Sequence, residues 1–268
     1  MRRFSTVISM AAMALGIAFI IEAFGGSLPT YTIRRTTGPI HIDGIIDEPD
    51  WKAAESVGDF VFPWWTEGEK EQTVAKLLWD DQNLYVAFQC EDAHIWAEYT
   101  ERDDPVSRDD AVEVFTAPNP DSLKNYFNFE FNAIGTILDR SPYYNRDSKW
   151  NAVGIQVAYT HDGTLNNDSD TDTSWTMEIV LPFENFVPFA KHVPPKDGDV
   201  WRLNLNRCGG KTNPQYSQWS DSGTPKPQFH APEGFGIVRF SEEKVGAATP
   251  APSGTWGKVK ASKAGEGR

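Results

Sequence analysis

The chain has 268 residues, with 38 acidic against 25 basic side chains and a formal charge of −13. That length suits one large all-β domain or two small ones, and the acidic balance excludes a nucleic-acid partner, whose phosphates need a basic footprint. A neutral ligand, a cation or no ligand remains; 40% hydrophobic residues can build a core, and ten Trp and sixteen Phe supply an ample stock of rings.

The N-terminus reads as a targeting segment. Arg2 and Arg3 precede an apolar run from Phe4 to Ile21, and Ala23-Phe24-Gly25 offers small residues for cleavage. Residues 1–25 are therefore expected to be a secretory signal peptide. An uncleaved anchor is the alternative, because a run of about 18 residues lies near the lower limit for spanning a bilayer. It would be the protein's one route to a membrane. Either way the protein is expected to be exported, to the periplasm, the cell surface or the medium. No Cys follows the run, which excludes a lipid-modified N-terminal Cys.

From Tyr31 onward short alternating segments are separated by turn chemistry. The pattern predicts strands at 31–35, 73–79, 84–91, 111–116, 126–132, 136–139, 152–160, 175–181, 201–207 and 235–240. Asp80-Asp81-Gln82-Asn83, His161-Asp162-Gly163 and Pro194-Pro195-Lys196-Asp197-Gly198 punctuate them. Many short strands with regular turns indicate an all-β fold. The expectation is a two-sheet antiparallel β-sandwich, jelly-roll or immunoglobulin-like, over residues 31–242, with short helical turns at 48–56 and 182–186. Residues 243–268, rich in Ala, Pro, Gly and Lys, cannot bury enough surface to offset their ordering entropy and read as a disordered tail. Cys90 and Cys208 are the two cysteines. They either form one disulfide in an oxidising compartment or stay as buried thiols.

The most informative stretch is Tyr126-Phe127-Asn128-Phe129-Glu130-Phe131-Asn132. Successive strand residues point to opposite faces, so Phe127, Phe129 and Phe131 face a core while Tyr126, Asn128, Glu130 and Asn132 face away. Val112 and Val114 similarly oppose Glu113, and Trp201, Leu203 and Leu205 oppose Arg202, Asn204 and Asn206. The second face meets either water, as antiparallel sheets often do, or a ligand. Asn is poor in strands, and four of them in two strands favour a job for planar amides. Sugars offer hydroxyls to bond and flat C–H faces to stack, so a sugar site needs planar polar groups and a ring platform. Trp150, Trp219, Phe229, Trp64 and Trp65 are the candidate platforms.

Acidic turns invite calcium, which takes six to eight oxygens. Asp43, Asp47, Glu48 and Asp50 surround one turn. Asp103, Asp104, Asp109 and Asp110 precede a strand, and 166–172 reads NNDSDTD. Asp43, Asp47, Asp92 and Asp110 are the candidate ligands of a structural calcium, although no loop has EF-hand spacing. Catalysis has little support: there is no phosphate-cradling Gly loop, Ser elbow or His pair at metal spacing. Glu113 and Glu130 would supply the two carboxylates of a glycosidase, but without a supporting motif a binding role is favoured.

Four ordered motifs then resemble the family 9 carbohydrate-binding modules, within the wider DOMON-like sandwiches. They are Ile42-Asp43-Gly44-Ile45-Ile46-Asp47-Glu48 with Trp51; Leu77-Leu78-Trp79-Asp80-Asp81 with Leu84-Tyr85-Val86; Asp110-Ala111-Val112-Glu113-Val114-Phe115; and Trp219-Ser220-Asp221 with Phe229, Pro232 and Phe235-Gly236. The resemblance covers about residues 40–240. It implies a sandwich that binds oligo- or polysaccharide without turning it over, with structural calcium in some members, usually beside glycan-degrading enzymes. Carried over position by position, the family's sugar-binding Glu falls on Glu113 and its late-strand amide on Asn206, two beyond Asn204. Of the two Trp that grip the sugar, one falls near Ser107 and the other on Phe229, and the family's Arg falls on Glu130. The two-Trp grip is therefore broken, and Trp150, Trp219, Tyr126, Arg207 and His230 are the candidates for a replacement platform and donors. Charge-assisted bonds of about 1.5–3 kcal/mol each, offset by ordering costs, suit micromolar affinity. Two other readings are a haem-binding redox module, for which Met177 would be the Met ligand although it is in phase with the core residues Trp175 and Ile179, and an envelope interaction protein without a small ligand.

Overall fold

A computed structural model describes residues 27–142, 150–187 and 189–247. The strands are β1 (Thr30–Arg35), β2 (Thr73–Trp79), β3 (Asn83–Glu91), β4 (Ala111–Ala117), β5 (Phe127–Asn132), β6 (Ile137–Arg140), β7 (Gln156–Asp162), β8 (Ser174–Pro182), β9 (Val200–Cys208), β10 (Tyr216–Gln218) and β11 (Gly236–Lys244). One short helix, α1 (Pro49–Ala53), and a 3-10 turn at Phe183–Phe186 stand at the two predicted helical turns.

The strands form one hydrogen-bonded path, β6-β5-β4-β9-β11-β1-β2-β3-β8-β7, with β10 added beside β9. The ladders are antiparallel except at β1, which runs parallel to both neighbours. This departs from the all-antiparallel expectation, and no local pattern in six residues reveals strand direction. β1 pairs with β11 along its length but with β2 only at Arg34 and Arg35, so the sheet turns at this strand. The inner residues of the two halves then meet in one core: Val114, Phe129, Leu205 and Trp201 from one side, Leu77, Val86, Phe88 and Met177 from the other. Trp79 meets Phe240 edge-on at 5.4 Å, and Phe186 meets Trp201 at 4.9 Å. Each such ring contributes roughly 1.5–3 kcal/mol by leaving water. The curl brings the path's two ends together, where His161 of β7 reaches the Ala133 carbonyl after β5 at 2.8 Å.

The motif around Asp43 and Trp51 has a structural task. Gly44 takes φ +83°, and a Cβ there would lie 2.6 Å from the Tyr159 backbone, so no other residue fits. Buried Glu178 accepts the Asp43 and Gly44 amides and the Trp51 indole N–H, at 3.1, 2.9 and 2.8 Å. This fixes α1 against Leu78, Tyr85 and Val180 as a second, smaller core.

The largest departures from the sequence reading lie at β7, β10 and β11. β7 begins at Gln156 because Gly154 turns the chain at φ +72°. β10 is too short to show alternation. β11 runs to Lys244, and Val245 is buried in the second core, so the segment expected to be disordered from 243 begins as ordered structure. The expected leader and residues 248–268 lie outside the described residues. Cys90 and Cys208 are both free and buried.

Candidate functional site

The outer face of β5, β4 and β9 carries the residues singled out by alternation. Glu113 pairs in register with Glu130 on one side and Asn206 on the other, and Asn206 with Gln218 of β10. The result is one cross-strand row, Glu130–Glu113–Asn206–Gln218, in which neighbouring Cβ atoms are spaced at about 4.5–5.5 Å. Asn128, Phe115 and Asn204 form the next row, and Asn132, Ala111 and Cys208 the row on the other side.

This face is neither open to water nor bare. Asn128, Glu130, Asn132, Glu113, Asn204, Asn206 and Gln218 are all buried. The chain after β9 folds back across them, and Phe229 and Phe235 pack with Phe115, Tyr126, Ala111 and Cys208 as a third cluster, joined by Trp64 and Leu123. The choice between water and ligand therefore omitted a third neighbour, the protein itself. Segment 209–235 lacks strand alternation, so the sequence does not reveal where it lies.

The row is held by its own hydrogen bonds. Asn206 Nδ2 donates to Glu113 Oε2 at 3.1 Å, the Cys208 thiol to Glu113 Oε1 at 3.7 Å, and Asn128 Nδ2 to Glu130 Oε1 at 2.9 Å. Two carboxyls side by side away from water resist ionisation. Burial, with Glu130 beside it, holds Glu113 well above the usual carboxylate range, and burial pushes Glu130 up to about 7. The nearest guanidinium to Glu130 by charge effect, Arg140, is itself bound to Asp103 at 2.6 Å.

Rings rim the row. Phe229 contacts Trp64 at 5.6 Å and Tyr216 at 6.0 Å. His230 lies tilted against Phe115 at 4.8 Å, and its Nδ1 is 3.0 Å from the Tyr126 hydroxyl. Tyr216 is 38% exposed, the most open of these rings. Burial raises its phenol, with a further push from Cys208 and Glu113, so the phenol stands within electrostatic reach of the row. The structure thus brings together Glu113, Tyr126, Glu130, Asn206, Phe229 and His230.

Four other candidates do not join them. Arg207 follows Asn206 by one residue and so points to the opposite face. It is buried, bound to Asp92 at 2.8 Å and the Glu91 carbonyl at 3.0 Å, with its guanidinium over the Trp175 ring. Trp150 packs on Phe127 and Phe129, the core side of β5. Trp219 is in the main core, its indole donating to the Val57 carbonyl. Asn204 lies on the right face, but its amide is spent on the Ser220 backbone. A ligand role for Arg207, Trp150 and Trp219 at this row is thereby corrected: one residue of register decides the face, and the two Trp lie in segments without alternation to fix it.

The acidic side chains are largely engaged by backbone amides and by Arg207. Asp92 and Asp110 flank Arg207 at 2.8 and 3.7 Å, Asp43 accepts the Ile45 amide, and the Asp47 amide bonds the Ile45 carbonyl. Asp109 accepts the Glu98 and Tyr99 amides, and Asp172 those of Ile95 and Thr164. Among the described residues no group of three or more His, Cys, Asp or Glu is arranged to hold a metal. Asp43, Asp47, Asp92 and Asp110 therefore do not fit a shared calcium site. Sequence reasoning missed Tyr216 and Gln218, whose strand is three residues long; the turn-forming Ser-Asp-Ser after it was the one signal available.

Residues 62–240 match the family model for carbohydrate-binding family 9. The first of the four motifs noted in the sequence lies before the matched region. No curated protein matches the chain. Among solved structures, the fold is similar to a candidate carbohydrate-binding protein from Bacteroides uniformis, with TM-score 0.65 and 20% identity over 80% of this chain and 100% of that one. It is also similar to a family 9 module from Caldicellulosiruptor kristjanssonii in complex with cellotriose (TM-score 0.56, 15% identity, 83% and 100% covered) and to one from the same organism in complex with glucose (0.54, 16%, 80% and 97%).

Proposed function

Because the chain belongs to carbohydrate-binding family 9, we propose that it binds carbohydrate without turning it over, at the ring-rimmed row Glu130–Glu113–Asn206–Gln218. One observation carries this placement. Glu113 and Asn206, the two positions that the family resemblance assigns to sugar, are cross-strand partners joined by a hydrogen bond, and Phe229, the third, packs in the cluster beside them. Acceptors and amides at one level under rings are what hydroxyls and a flat sugar face require. Tyr216 is the most exposed ring of the rim, with Trp64 and His230 half-buried, and a sugar seated there reaches the buried row when Phe229 moves aside. Tyr216 takes over the platform role that the residue near Ser107 does not supply.

Export and an association with glycan-degrading enzymes are part of the same proposal, supported by the charged-then-apolar N-terminal sequence and by the family's usual setting. The haem reading loses ground, since Met177 is fully buried in the main core between Phe88 and Tyr159 in register. In calorimetric titrations with cellotriose, the sugar bound by a family 9 module of similar fold, micromolar binding is expected. Tyr216→Ala is expected to weaken it roughly 5- to 20-fold, from the loss of one stacked ring, with an unchanged thermal midpoint. Full affinity in that variant would remove Tyr216 from the site.

A further inference from the structure

The row is supplied with acceptors and short of donors. Of its amide and thiol donors, Asn206 Nδ2, Asn128 Nδ2 and the Cys208 thiol are already turned onto the two carboxyls, and the Gln218 amide is engaged by the turn at 220–222. Asn206 Oδ1, on a residue with no exposed surface, has no hydrogen-bond partner. Among the described residues no Lys or Arg bonds to Glu113 or Glu130. Arg140 is engaged by Asp103 and the Asp139 carbonyl, and Arg207 belongs to the opposite face.

A sugar hydroxyl brings one donor together with lone pairs that themselves need donors, whereas an ammonium brings three donors and no acceptor. An ammonium also favours ionisation of two buried carboxyls that otherwise keep their protons, giving each a counter-charge as it ionises, and it is attracted to the faces of rings such as Phe115, Tyr126 and Tyr216. Resting on the sugar site proposed above, we infer that its preferred ligand is an amino sugar with a free amine, the ammonium seated against Glu113 and Glu130. The row's shared-carboxyl chemistry then has a use that a wholly neutral sugar does not give it. The overall charge of −13 draws cations toward the surface as well, so long-range attraction must be separated from seating.

The test is a calorimetric comparison at pH 6 of three trimers: β-1,4-linked glucosamine, its fully N-acetylated form, and cellotriose. The glucosamine trimer is expected to bind at least tenfold tighter than cellotriose, and acetylation is expected to abolish the gain. The preference should persist in 0.3 M NaCl, because a buried pair is screened far less than surface charge. Glu113→Gln should reduce it to less than threefold. Equal binding of glucosamine trimer and cellotriose overturns the amine inference and leaves the sugar site standing. A preference that salt erases and Glu113→Gln retains also overturns it, since overall charge then explains it. Absence of binding to all three trimers overturns the sugar site itself.

Discussion

Arg207→Met is expected to destabilise the protein by about 3–5 kcal/mol, the cost of leaving a buried charge cluster without its counter-ion. With a urea dependence of about 1–3 kcal/mol per molar, the denaturation midpoint should fall by at least about 1 M. The guanidinium bonds Asp92, lies 3.7 Å from Asp110 and covers the Trp175 ring, whose indole donates to the same Asp92 oxygen. Removing it leaves two carboxylates in the interior. Burial and then Asp92 push the Asp110 carboxyl up to about 7, while Arg207 opposes that push. Without Arg207 only the Trp96 and Gly210 amides oppose it. A group whose pKa is raised in the folded state contributes stability at low pH that is lost as pH rises through its folded pKa. The variant should therefore recover part of its stability on acidification from pH 8 to pH 5.5. A loss under about 1 kcal/mol would show that Asp92 and Asp110 are held by their backbone donors alone.

The second large effect concerns Glu113 and Glu130. Both carboxyls are raised in the folded protein, Glu130 to about 7. The folded state therefore holds protons that the unfolded chain has already released between the ordinary carboxyl range and about pH 7. By the same sign rule, stability falls as pH rises across that window. Glu113→Gln keeps the shape and the Asn206 contact while removing one charge. The variant is expected to match the parent near pH 4.5 and exceed it at pH 8, with a flatter profile between, in urea denaturation followed by Trp fluorescence. A variant less stable than the parent at pH 8 would mean that the carboxylate is compensated by a partner, and the argument for a donor-poor row would fail with it. Together with weaker binding, higher stability would show a residue kept for its ligand at a cost to the fold.

The two substitutions also show what the sequence disclosed. Asn206 and Arg207 are neighbours in one strand, and alternation alone assigns them to opposite faces: one to the polar row, the other to an ion pair in the core. Treating both as ligand groups ignored that rule. Turn chemistry and alternation also located the strands from β2 to β5, and period 2 disclosed the two faces of β4, β5 and β9, most clearly where Phe127, Phe129 and Phe131 alternate with Asn and Glu without a break. Register was not legible. Nothing local in Asp110–Phe115 or Asn204–Arg207 says that Glu113 stands opposite both Glu130 and Asn206; alternation put them on polar strand faces, and the family resemblance assigned Glu113 and Asn206 to one site. The cover was also hidden, since the segment carrying Tyr216, Phe229 and His230 has turn residues and no period. Trp150 and Trp219 were attractive as platforms only because an unplaced Trp looks available, and each is committed to the core. The acidic turns are ambiguous for a related reason: Asp and Asn that accept loop amides have the same composition as those that hold calcium.

The account depends on where sugar sits. A crystal structure of the protein grown with cellotriose measures that directly. The account predicts a pyranose ring against Tyr216 and Phe229 with hydroxyls within 3.2 Å of Glu113 or Asn206, the reach of an ordinary hydrogen bond. A bound sugar elsewhere on the molecule, with the row still closed beneath Phe229, would contradict it.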